Sequence, residues 1–139
     1  MDAAGDLDAG GAIELIQAFG DLGIVDAGGA LPDVQVGGDA TGTIDAAGLL
    51  NADVWGATMG AITATADITL HVFDSITNSV TSAAGAIKGG AWKSILGSIA
   101  TGAAEGIAMF AYEACEGEIL SGGSVVVLTH IGDIAGNID

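Results

Sequence analysis

Arginine is absent from this chain, and its only lysines are Lys88 and Lys93. Against them stand 18 acids, for a formal charge of −16. A nucleic-acid backbone would be repelled, and the cationic contacts that bind it are missing. Phosphoryl transfer lacks its usual Arg and Lys clamps. An anionic bilayer surface would repel the exterior too. With Cys115 alone, no intrachain disulfide can form, and a lone Cys is most simply a small buried hydrophobe. Proline occurs once, at Pro32, and aromatics make up only 4% of the chain. No Gly-x-x-x-x-Gly-Lys phosphate loop is present. No charged, thiol or imidazole constellation rises above an ordinary polar surface, so neither an enzyme nor a bound cofactor or metal is expected.

What the chain has is small apolar residues: half of it is hydrophobic, mean hydropathy is +0.61, and there are 24 glycines among 139 residues. That length suits one domain. The glycines have no collagen period. They lower helix propensity by about 1 kcal/mol each relative to Ala, so packing must supply the order. Charge is segregated. Residues 1–53 carry ten acids and no base, 54–104 sum to zero, and 105–139 carry six acids and no base. The domain thus reads as an acidic Gly-rich part (1–53), an apolar middle (54–117) and a C-terminal element (118–139).

The apolar pattern predicts a mostly α fold. Trp55, Met59, Ile62, Ala66, Thr69, Phe73, Ile76, Val80, Ala83 and Ile87 follow steps of four and three. They form the seam of a helix over about 53–88, with Asp53 as N-cap and Gly89-Gly90 as its stop. A second helix over about 91–117 places Trp92, Leu96, Ile99, Ala103, Ile107 and Phe110 on its apolar side. Gly102-x-x-x-Gly106 gives it a close-approach surface. The short link makes the pair an antiparallel hairpin, self-associating, with short terminal elements packed on it. A short helix over 11–22 is expected from Ile13, Ile16, Phe19 and Leu22, and loop over 23–44.

Two features point elsewhere. Ile62 to Val72 alternates apolar and polar residues, as a β-branched strand does. With the Val125–Ile131 run it gives an α+β alternative, with strands near 61–73 and 124–131. The second feature is an echo: Asp8-Ala-Gly-Gly-Ala-Ile, Asp26-Ala-Gly-Gly-Ala-Leu and Asp45-Ala-Ala-Gly-Leu-Leu, at spacings of 18 and 19. Asp-capped turns explain it locally; a β-solenoid would need more copies.

On the expected helix Asp67, His71, Asp74 and Asn78 share the polar face. Around an oligomer's axis that stripe would line water, while Trp55, Phe73, Trp92, Gly102, Gly106 and Phe110 meet neighbouring copies or lipid. The bland reading is a solvated face. Asp67, His71 and Asp74 could also share a metal, and His130, in an apolar run, reads as a packed histidine. Residues 95–112, with Glu105 inside, fall short of a standard transmembrane span.

In size, charge and the lack of a span the chain resembles the small acidic α-helical porins of mycolic-acid-walled actinobacteria. The resemblance rests on those characters and on no residue motif, so it assigns no residue. It implies a channel-forming, homo-oligomeric cell-envelope protein that meets a lipid bilayer and no nucleic acid. The alternative is a soluble self-assembling structural or interaction protein of a surface layer or particle. A cell-envelope or secreted location is expected, its leader already removed, with the cytoplasm as the other possibility.

Overall fold

A computed structural model describes residues 6–139 and has no helix among them. The helical hairpin over 53–88 and 91–117 and the helix over 11–22 are therefore corrected, and so is the α-helical character of the chain. The α+β alternative fails on its helices as well. The chain winds instead as a parallel β-solenoid of about seven turns.

Each turn contributes a short strand and a longer one. In chain order they are β1 (Leu7–Ala9) and β2 (Ile16–Ala18), β3 (Val25–Ala27) and β4 (Leu31–Val36), then β5 (Ile44–Ala46) and β6 (Leu50–Val54). Next come β7 (Ile62–Ala64) and β8 (Ile68–Val72), then β9 (Val80–Ser82) and β10 (Ile87–Ala91). The last four are β11 (Ile99–Thr101) and β12 (Ile107–Ala111), then β13 (Ile119–Ser121) and β14 (Val125–Thr129). Odd strands stack in chain order into one sheet, and even strands into the other. Leu7 registers with Val25, and the column continues through Ile44, Ile62, Val80, Ile99 and Ile119, so successive turns take 18, 19, 18, 18, 19 and 20 residues. A third ladder of single bridges runs through Leu22, Ala40, Thr58, Ile76, Ile95, Cys115 and Ile134.

Alternation at a period of two decides which side chains enter. In β5, Ile44 and Ala46 are buried and Asp45 is exposed; in β6, Leu50, Ala52 and Val54 are buried and Asn51 and Asp53 exposed. The core is thus a set of stacks of Ile, Val, Leu and Ala between the two sheets and the bridge ladder. Pro32 has no N–H to give a sheet. It lies between Leu31 and Val34, where the register of β4 with β6 shifts by a bulge.

Small residues are needed at the corner after the bridge ladder. Gly42, Gly60, Gly97, Gly117 and Gly136 stand there, and a Cβ on any of them would overlap backbone of the turn before. At these turns one carbonyl accepts two N–H groups: Ile76 O takes Leu96 N at 2.8 Å and Gly97 N at 3.1 Å, and Ile95 O takes Glu116 N at 2.8 Å and Gly117 N at 3.1 Å. Asn78 breaks the column. At its turn the backbone bond to Thr58 O comes from Thr77 N at 3.0 Å, supplemented by the Thr77 hydroxyl at 2.7 Å.

In-register stacking also aligns like charges. Asp8, Asp26 and Asp45 point outward from one column of the odd sheet. Neighbouring strands lie about 4.8 Å apart, and the Debye length falls from about 14 Å to about 3 Å between 0.05 and 1 M salt. Raising NaCl across that range is expected to raise the melting temperature by on the order of 5 °C. A circular-dichroism melt that stays flat or falls with salt would show that these columns carry no net strain.

Candidate functional site

The even sheet turns one row of side chains to solvent: Gln17, Gln35, Asp53, His71, Gly90, Phe110 and Leu128, in register. Its first part is polar and zipped together. Gln17 Nε2 donates to Gln35 Oε1 at 3.0 Å, and Gln35 Nε2 donates to Asp33 Oδ1 at 3.0 Å. His71 Nδ1 and Asp53 Oδ1 meet at 3.0 Å, with both side chains more than half exposed.

Two residues further on, where each long strand ends, runs a second row. Trp55 stacks on Phe73 with centroids 4.2 Å apart and planes 6° from parallel. Phe73 and Trp92 follow at 6.4 Å and 12°, Trp92 and Tyr112 at 5.9 Å and 30°, Tyr112 and His130 at 4.9 Å and 33°. Stacked aromatic pairs at such spacings add roughly 0.5–1.5 kcal/mol each beyond burial. The rings hide their faces in one another and offer solvent their edges. Between the two rows lies an open trough of about 480 Å³ lined by Gln35, Asp53, Trp55, His71 and Phe73.

The four residues expected on one polar face are spread around a turn. Asp67 sits before β8, where its Oδ1 accepts the Ala86 N–H at 2.8 Å. His71 is on the outer face of β8. Asp74 lies beyond the aromatic row, paired with Lys93 Nζ at 2.6 Å. That hydrogen bond, with the attraction between the charges, holds the Asp74 carboxyl below its ordinary value and Lys93 above its own. Asn78 occupies the glycine corner, and its Nδ2 donates to Met59 O at 3.0 Å.

Trp55, Phe73 and Trp92 come together in the aromatic row, Phe110 lies on the neighbouring polar-to-apolar row, and Gly102 and Gly106 fall in the connection between β11 and β12. Sequence reasoning missed Phe19, Tyr112 and His130 as members of the aromatic row and Asp53 as the partner of His71. The signal was recurrence: residues 19, 55, 73, 92, 112 and 130 hold rings at multiples of the turn length.

Asp53 and His71 could exchange a proton, yet neither hydrogen-bonds a hydroxyl or thiol nucleophile among the described residues. Cys115 is buried in the bridge ladder, and that burial raises its thiol pKa, the opposite of activation. Among the described residues no three His, Cys, Asp or Glu side chains gather as a metal site requires, and no helix is long and apolar enough to cross a bilayer. Comparison with protein-family models, with curated proteins and with solved structures gives no match.

Proposed function

We propose that this chain is a non-enzymatic structural or interaction protein that binds an extended neutral glycan along the outer face of its even sheet. The observation that carries the reading is the pair of parallel rows: exposed aromatic rings beside amides, a carboxylate and an imidazole, both running along the solenoid at the spacing of its turns.

Three physical points support it. The rows run along the axis, so a polymer laid on them meets a ring on most turns and a polar side chain on the first four. Only β2 and β14, at the two ends of the even sheet, have an open edge among the described strands, so a peptide could extend the sheet there and not along the rows. The strong negative charge disfavours anionic polymers, whereas amides, carboxylate and imidazole suit sugar hydroxyls.

The expected channel drew its water-lined stripe from one helical face holding Asp67, His71 and Asp74, and the described residues form no helix. The test is electrophoresis of the chain through gels containing soluble β-glucan, xylan or polygalacturonate. Retardation by a neutral polymer and not by polygalacturonate is the expected result. Phe73→Ala should weaken it about tenfold, because Phe73 holds Trp55 and Trp92 in place by stacking between them. Free migration through every gel would overturn the reading, and discrete conductance steps in a planar bilayer would favour the channel instead.

A further inference from the structure

The aromatic row has one missing ring. Its column runs Phe19, Gly37, Trp55, Phe73, Trp92, Tyr112, His130, and at Gly37 there is no side chain. Phe19 is 80% exposed and Trp55 is 62% exposed. One face of Trp55 is covered by Phe73, and on its other side Trp55 shares the lining of a gap with Phe19. The space there is a slot of about 140 Å³ lined by Gln17, Ala18, Phe19, Gln35, Val36, Gly37 and Trp55. A void of about 150 Å³ accepts a benzene-sized ring.

The backbone beneath the slot cannot settle to close it. Its walls stand two strand spacings apart, roughly 9.5 Å. Backbone bonds hold them there, Gly37 N to Ala18 O at 2.7 Å and Trp55 N to Val36 O at 2.9 Å. A flat ring placed midway would lie about 4.8 Å from each wall, within the usual range for stacked rings. It would repeat the 4.2–6.4 Å steps found along the rest of the row. Gly37 itself is constrained, since a Cβ there would stand 2.5 Å from the Phe19 carbonyl oxygen. The protein therefore cannot fill the place with a ring of its own without moving backbone.

We propose that this slot binds one pyranose ring of the neutral glycan, clamped between Phe19 and Trp55 as the missing member of the row. The proposal rests on the glycan-binding reading and names where that surface grips a single sugar. A pyranose has two apolar C–H faces, which suit the two aromatic walls, and hydroxyls around its rim, which need polar partners. Gln17 supplies them beside the slot. Its Nε2 has a second hydrogen beyond the one given to Gln35, and its Oε1 accepts no hydrogen bond among the described residues. The neighbouring carboxylate of Asp33, already accepting from Gln35, disfavours an acidic sugar.

The experiment uses the full chain and the neutral polysaccharide that retards it, with Phe19→Ala, Trp55→Ala and Phe73→Ala compared with the parent. Phe19 stacks on no other ring among the described residues and is 80% exposed, so its truncation should leave the thermal melt unchanged while weakening retardation about tenfold. In a Trp92→Phe background, where Trp55 is the remaining tryptophan, a hexasaccharide of the same polymer should shield its fluorescence from acrylamide. If Phe19→Ala binds like the parent while Phe73→Ala does not, the slot is wrong and the strip reading stands. If no neutral polymer retards the parent chain, both fail. If indole shields Trp55 and the hexasaccharide does not, the slot takes aromatic rings and the sugar assignment is overturned.

Discussion

Leu70→Ala is expected to remove about 4 kcal/mol of stability, near the upper end for a buried leucine. The reason is what lies above and below it. The inward column reads Val34, Ala52, Leu70, Gly89, Met109, so the fully buried Leu70 has small residues on both neighbouring turns. Much of the space at that level is filled by this one side chain. The strands around it are fixed by ladder bonds on both sides, and the walls of the cavity have little freedom to relax inward. A domain of this kind holds roughly 5–15 kcal/mol in total, so about a quarter or more of its stability is at stake. Urea unfolding followed by circular dichroism measures the loss. Ile76→Val, in the same turn and equally buried, should cost only about 1 kcal/mol. A Leu70→Ala loss below about 2 kcal/mol would mean that the turns do settle into the cavity.

Gly97→Val is expected to cost about 3 kcal/mol by a different route. Its Cβ would overlap the Asn78 carbonyl oxygen, and Gly117 of the next turn is packed in the same way on Gly97. The corner must therefore move outward and strain the paired bonds that Leu96 and Gly97 make to Ile76 O. Asn78→Gly is the matched control, since that turn already accommodates a side chain. It should change the unfolding midpoint little, giving up the amide bond to Met59 O. Equal losses in the two variants would show that close approach at the corner does not limit stability.

Much of this architecture was written in the sequence in a form that a helix imitates. Inward positions through the fourth turn are Ile62, Ala64, Ile68, Leu70, Val72, Ile76 and then Val80. They advance by two within a strand and by four across each corner. The corner steps supply the fours of a helical rhythm, and threes such as Met59 to Ile62 or Phe73 to Ile76 arise by crossing between outward and inward residues. That seam mixed inward Ile62, Ile76, Val80 and Ile87 with outward Trp55, Met59 and Phe73. The alternation over 62–72 was the truer signal, and β7 and β8 lie within it.

The Asp-Ala-Gly echo was the start of the real repeat. It faded after Asp45 because the outward residue changes to Thr63, Thr81, Ala100 and Leu120, while the inward Ile or Val of each short strand persists. The outer face constrains residue type little, so that column drifts from Asp through Thr to Ala and Leu; the core does not. The site was less legible for the same reason. Trp55, Phe73 and Trp92 stood out as large exposed rings, but their neighbourhood depends on the turn length. Once the rings are counted in steps of 18 to 20, the glycine at position 37 becomes a gap and no longer one glycine among 24.

Every strand here bonds to a strand one turn away in the chain and to none more distant. Pulled from its two termini, such a molecule has no single clasp that releases the whole. It should peel a turn at a time from an end, and each turn of 18 to 20 residues would release about 60–70 Å of extended chain. A tether built this way yields in small, equal instalments and shortens again as the load is lifted.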